Sequence, residues 1–185
     1  THLVIRNATK GANPVTYPYA VSGLNADLTL QFVDIRESEG PVFCRGGTLL
    51  LEDSILQTPF TGDGMNVKQG HAITRRCTFL GNNQPDTDAL DYDAVIDGLI
   101  EDCRIYRFQG SNSDGIDIGE ACVNVLVQRN LIYYNSDKGI SAGQGSTVTL
   151  RNNLVVGCNL GVGIKDSGTS VTIDRNTFAD CATGV

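Results

Sequence analysis

Six aspartates recur in one short pattern along the 185-residue chain. The segments 63–69 (DGMNVKQ), 88–94 (DALDYDA) and 114–120 (DGIDIGE) align with one another, and 138–144 (KGISAGQ) and 160–166 (LGVGIKD) continue the series. If the apolar residues of each segment point inward, alternation turns Asn66, Asp91 and Asp117, and with them Lys68 and Asp93, to the opposite face. Asp63, Asp88 and Asp114 stand just before the Gly position of each segment. Lys68 and Lys138 border the cluster and Lys165 lies farther along. Carboxylates stacked at strand spacing repel, so a bound cation, raised pKa values or the lysines must compensate. Ca²⁺ takes about six to eight oxygens and suits such a cluster, with Asp91, Asp93 and Asp117 as candidate ligands. The same residue types can do acid–base work on a sugar. In a hydrolase, Asp114 with Asp117 or Asp137 would be acid and base. In a lyase, Ca²⁺ would neutralise a uronate carboxylate while a lysine, Lys138 or Lys165, took the C5 proton. The competing reading is structural: Asp beside Gly is ordinary turn chemistry, and Asp88 and Asp114 sit at turn ends.

The elements that would position these side chains are legible in the last third of the chain. Asn130, Asn153 and Asn176 are 23 residues apart, and each follows an apolar-x-apolar strand and precedes another. A period in the low twenties with one β-rich unit per repeat marks a solenoid. Strands of three to five residues bury too little alone, so successive turns must stack and pair in parallel. Traced backwards, the Asn column runs through Cys103, Cys77, Ser54, Val33 and, loosely, Ala8. The apolar position two later runs Phe178, Val155, Ile132, Ile105, Phe79, Leu56, Ile35. This predicts a single all-β domain over residues 1–185, a single-stranded parallel β-helix of seven to eight rungs, with stacked asparagines bonding one another at a bend.

Two rungs are longer, 26 and 27 residues, and their extra residues fall in 81–87 and 108–113, just before the acidic segments. Insertions that share one side build a wall beside one face. The stretch 10–22, with two prolines and two tyrosines, reads as a loop. The rung 71–93 is imperfect, with Ala72 and Thr74 inward, and predicts a bulge. An outward column Glu52, Arg75, Glu101, Gln128, Arg151, Asp174 largely alternates in sign and reads as a solvated face of weak ion pairs. Outward Leu50, Ile73, Leu99 and Leu126 form an apolar stripe, which asks for cover by this chain, by parent sequence or by a docked domain.

Composition narrows the partners. A net charge of −7 argues against a nucleic-acid backbone, and no apolar run is long enough to insert in a membrane. The chain begins at Thr1 and stops soon after a turn glycine, which reads as a piece of a longer protein. Six cysteines suggest disulfides, but Cys77/Cys103 and Cys158/Cys181 fall in shared columns with parallel Cβ vectors, so buried free thiols are expected. Trp is absent, so any sugar-stacking platform falls to Tyr92 or Tyr106.

The Asn-bearing rungs resemble the right-handed parallel β-helix repeat of the pectate-lyase-like superfamily, and the right hand is what that resemblance implies. Residues 112–117 (NSDGID) are similar to the Asn-Thr-Asp-Gly motif of polygalacturonases. Ser136, Asp137 and Lys138 fall where that family has Gly-Asp-Asp, and Gly163, Ile164 and Lys165 where it has Arg-Ile-Lys. Of the family's three carboxylates, Asp114 and Asp137 carry over. The stretches NSDGIDIGE, SDKGISAGQ and GVGIKD resemble β-helix regions of large secreted bacterial proteins. That resemblance implies an extracellular or cell-surface setting and supplies no reaction. With the acidic face, the first reading is a secreted, non-catalytic carbohydrate-binding or adhesion-type module, with polysaccharide, including uronate polymers, as partner. A polysaccharide lyase or hydrolase and a structural spacer docking other domains are the alternatives.

Overall fold

The computed structural model describes residues 3–8 and 19–185, all-β, with 22 strands among them. Every strand pairs in parallel, and the chain winds through three sheets in a fixed order. Sheet A holds eight strands, Leu3–Arg6 and then one per turn from Val33–Arg36 to Thr177–Ala179; sheets B and C hold seven each. Sheet B carries the acidic segments, from Val21–Leu24 through Met65–Lys68, Leu90–Asp93, Ile116–Gly119 and Lys138–Ala142 to Leu160–Ile164. Sheet C supplies the strand before the Asn column. Seven complete turns therefore stack on one another. Among the described residues no helix is long and apolar enough to cross a membrane.

Alternation fills the interior. Leu49, Leu51, Phe79, Ile100, Ile105, Ile116 and Ile118 are wholly buried while their chain neighbours face out. The asparagines are bonded in series. Asn130 Nδ2 donates to Asn153 Oδ1 (3.0 Å), Asn153 Nδ2 donates to Asn176 Oδ1 (2.9 Å), and each amide also reaches a sheet C carbonyl. The same column passes through Cys103, Cys77, Ser54 and Val33, where Ser54 Oγ accepts from the Val33 amide. At its start the register differs from expectation: Leu3, not Ala8, pairs with Val33, because the first strand begins earlier in the chain. All six cysteines are free. Burial pushes the Cys122 thiol up to about 12 and Cys158 to about 11, so these sulfurs fill the core as apolar groups.

Two further expectations are corrected. Strand His71–Arg75 pairs in continuous register with Thr48–Glu52 and, over its last three residues, with Leu99–Glu101, so no bulge interrupts the strand. Ala72 and Thr74 are small because Tyr92 occupies the space: it is wholly buried, and its hydroxyl bonds Thr74 Oγ1 at 2.9 Å. Of the expected loop 10–22, residues 10–18 lie outside the described residues, while Val21–Leu24 is a strand of sheet B. The stripe Leu50, Ile73, Leu99, Leu126 is a register column of sheet C, half-buried between fully buried neighbours, so it does face outward. Beside it Arg75 pairs with Glu52 and Arg151 with Asp174 (3.4 Å). A second charged column was not legible: Arg76 pairs with Asp53 at 2.8 Å and Arg129 with Asp102 at 2.9 Å. Those residues sit at the bend from sheet C to sheet A, where φ is positive on every turn, from Phe32 (55°) to Arg175 (55°).

Candidate functional site

Sheet B places the predicted acidic residues in two registers. The first lies at the entrance to the sheet and is a hydrogen-bonded chain. Asp63 Oδ1 accepts from the Asp88 amide (3.0 Å), Asp88 Oδ1 from the Asp114 amide (2.6 Å), and Asp114 Oδ1 from the Lys138 amide (2.8 Å). Each carboxylate thus satisfies a backbone N–H of the next turn, which is the structural reading of these residues. Lys138 closes the series, with Nζ 3.3 Å from both Asp114 oxygens and ion-paired with Asp137.

The second register faces outward: Phe43, Asn66, Asp91, Asp117, Ser141 and Gly163 are successive Cα partners. Its ends are covered. Phe43 is 2 % exposed, with the Tyr19 ring 5.2 Å away. Tyr19 in turn lies flat on Gly40, where a Cβ would meet the ring at 2.4 Å. At the other end the Lys138 stem runs across Gly163, and Ser141 is wholly buried with no partner for its hydroxyl among the described residues. Between the two covers Asp91 and Asp117, half-buried on adjacent strands, form a window about 5 Å from strand to strand. Asn66 donates to both Asp63 (3.1 Å) and Asp91, and Lys68 is ion-paired with Asp93 beside the window.

Burial and crowding decide the protonation of these groups. Burial, reinforced by the charges of Asp63, Asp114 and Asp117, pushes Asp88 up to about 9. Burial, with Asp63, Asp93 and Asp117 alongside, pushes Asp91 up to about 8. Asp63 is raised by burial as well. Asp114 reaches only about 6, because Lys138 offsets part of its burial. Desolvation pulls both lysines down, but the carboxylates they bond outweigh it and leave Lys68 and Lys138 above the usual lysine value. At neutral pH the window is therefore an array of protonated and ionised carboxyls flanked by two firmly cationic lysines.

The remaining predicted residues are placed apart. Lys165 is exposed and three turns from Asp93: along that column come Gly119, Gly143 and then Lys165, whose stem lies over Gly143. Among the described residues no three His, Cys, Asp or Glu side chains are grouped to hold a metal ion. Asp93 turns to Lys68 and Asp91 to Asn66, so Asp91, Asp93 and Asp117 do not converge on one point. Tyr92 cannot be a stacking platform, being in the core, and Tyr106 lies on sheet A, stacked on Tyr133 at 4.9 Å with Arg104 beside both rings. The two insertions do stack as a wall between sheets A and B: the Asp86 amide donates to Ser111 O (2.9 Å) and Asn112 Nδ2 to Asp86 Oδ1 (2.7 Å).

Comparison with known proteins follows the same geometry. The chain matches the family described as right handed beta helix region over residues 27–178. No curated protein matches it. Among solved structures it is similar to a double mutant of the periplasmic alginate epimerase AlgG, at 14% identity and a TM-score of 0.61. That match covers 90% of this chain and 46% of the other, so the chain spans about half the length of that protein. It is also similar to the A-module of the mannuronan C-5 epimerase AlgE4 of Azotobacter vinelandii, at 12% identity and a TM-score of 0.48, covering 84% of this chain and 60% of that one. Identities this low speak for the fold alone.

Proposed function

The chain belongs to the right handed beta helix region family, and from that premise we propose that it is a non-catalytic polysaccharide-binding module. Its ligand is an acidic, uronate-containing chain held over the Asp91–Asp117 window. The observation that carries this reading is the placement of an outward carboxyl pair on adjacent strands between Lys68 and Lys138, with the insertion wall alongside. Sugar hydroxyls donate to ionised carboxylates, while protonated Asp91 and the lysines are donors suited to a uronate carboxylate. The similarity in fold to an alginate epimerase, described as periplasmic, favours a polysaccharide ligand and an extracytoplasmic setting.

Turnover is disfavoured by the same contacts. A lysine that abstracts a C5 proton must be neutral, and Lys138 is held charged by Asp114 and Asp137. Asp114 is 4 % exposed and committed to the next turn's backbone, a poor position for an acid that must reach a glycosidic oxygen. Calcium is left out of this reading, since Asp91 turns to Asn66 and Asp93 to Lys68 rather than toward Asp117. The test is calorimetric titration with mannuronate, guluronate and galacturonate oligomers. Binding that weakens about tenfold in Asp117→Ala and survives chelator supports the proposal. Equal binding by Asp117→Ala removes the window as the site. New reducing ends or unsaturated product in wild type, lost in Asp117→Asn, would replace it with the enzyme reading.

A further inference from the structure

We infer a second carbohydrate site that takes uncharged pyranose units, in a groove along the sheet A side of the insertion wall, separate from the acidic window. Two hollows of about 920 Å³ and 750 Å³ share Asn83, Gln109 and Tyr134, and so form one continuous groove. Its floor follows the column just past sheet A, where Gly81, Arg107, Tyr134, Gly157 and Asp180 succeed one another by one turn each. Four turn-to-turn steps span about 20 Å along the solenoid axis, room for an oligosaccharide rather than a single ring.

The lining matches sugar chemistry. Tyr134 is 53% exposed, yet its ring is fixed. Its Cδ1–Cε1 edge lies against Gly157, whose φ is +65° and where a Cβ would come within 2.6 Å of the ring. Tyr133 packs against it nearly at right angles, with centroids 5.5 Å apart at 78°. An aromatic held at its edge and more than half exposed is a platform for the C–H side of a pyranose, and its hydroxyl gives a polar tip. Around it the exposed side-chain amides of Asn83, Gln109 and Asn159 make no hydrogen bond among the described residues. Asn82 next door shows the contrast, since its amide is committed to Thr58 O (2.6 Å) and Phe60 O (2.9 Å). Each free amide offers donors and an acceptor together, which is what a sugar hydroxyl requires.

Charge selects the ligand class. The charged residues lining the groove are Arg107 and Asp180, of opposite sign, so the groove has no field to hold a polyuronate. The window has two lysines and a row of carboxyls. This inference does not depend on the window.

The experiment is a titration of ¹⁵N-labelled protein, followed through side-chain amide signals, with cellohexaose, laminarihexaose and mannohexaose, and with hexamannuronate in parallel. The expected result is millimolar binding of at least one neutral hexamer. It shifts Asn83, Gln109 and Asn159, is the same at pH 5 and pH 9, and weakens about tenfold in Tyr134→Ala but not in Asp117→Ala. Gln109→Ala, at an exposed position, is a second variant with the same expected direction. The inference is overturned if no neutral hexamer moves those signals, or if Tyr134→Ala and Gln109→Ala bind as wild type. It is also overturned if neutral sugars perturb Asp91 and Asp117 instead. Failure of hexamannuronate to bind would count against the window alone.

Discussion

Asp91→Asn should stabilise the protein at neutral pH, and the size of the effect follows from the window's geometry. The Asp91 carboxyl is held at about 8 against an ordinary 3.8, by burial first and by Asp63, Asp93 and Asp117 next. Between those two values the folded chain keeps a proton that the unfolded chain has lost. Stability therefore falls as pH rises from about 4, and levels off once pH passes the folded value near 8. Each pH unit crossed costs about 1.4 kcal/mol, so the full penalty at pH 7 is about 4 kcal/mol. Asp63, Asp93 and Asp117 share the repulsion, and relief in a single variant is about half of that, roughly 2 kcal/mol. The new amide keeps the bond to Asn66, since its oxygen can accept from Asn66 Nδ2 as the carboxylate does. Urea unfolding of both proteins at pH 4, 7 and 9 measures it. The variant should match wild type at pH 4 and exceed it by about 2 kcal/mol at pH 7 and about 3 kcal/mol at pH 9. A variant that is less stable at pH 7, or whose difference from wild type is the same at all three pH values, would refute the argument that this carboxyl is strained by its surroundings.

Other expectations test the frame around the window. Asn153→Ala strips partners from the Asn130 amide and from Val127 O, both in the interior. Two orphaned backbone groups at about 1–3 kcal/mol each predict a loss of about 3 kcal/mol in urea unfolding, and a loss under 1 kcal/mol would deny the stacked asparagines their role. Arg175 sits at φ 55° with its side chain 77% exposed. Arg175→Gly should therefore raise the unfolding free energy by up to about 1 kcal/mol, and a clear destabilisation would show that the left-handed turn carries no strain. Leu99→Ser removes the centre of the half-buried sheet C stripe. It should cost about 1 kcal/mol or less, and loss of self-association in sedimentation would instead assign that stripe to docking.

Residue type and spacing carry the repeat because the interior enforces them. Every turn must supply inward apolar side chains at the same two positions, so Val127, Leu150 and Ile173, or Ile132, Val155 and Phe178, align without reference to coordinates. The acidic columns were legible for the same reason: once the inward set is fixed, alternation fixes the outward one, and Asp91 opposite Asp117 follows. Three things were not legible. The early register failed at Ala8, because a single strand with no repeat behind it gives nothing to align. The second charged column escaped because the bend residues Asp53, Arg76, Asp102 and Arg129 adopt positive φ without being glycine, so no composition signal marks the turn. The sugar groove at Tyr134 escaped because its members come from six turns and from insertions outside the period.

The sequence alone determined the solenoid, its repeat spacing and the face on which the aspartates lie, because those follow from local alternation repeated at one spacing. Which aspartates serve the fold and which remain for a ligand was decided only in three dimensions. Asp63, Asp88 and Asp114 are spent on the backbone of the next turn, while Asp91 and Asp117 stand open between Tyr19 and Lys138. A carboxylate's role is set by the donors within reach of its oxygens, and those donors lie about 25 residues away in the chain and one strand away in space.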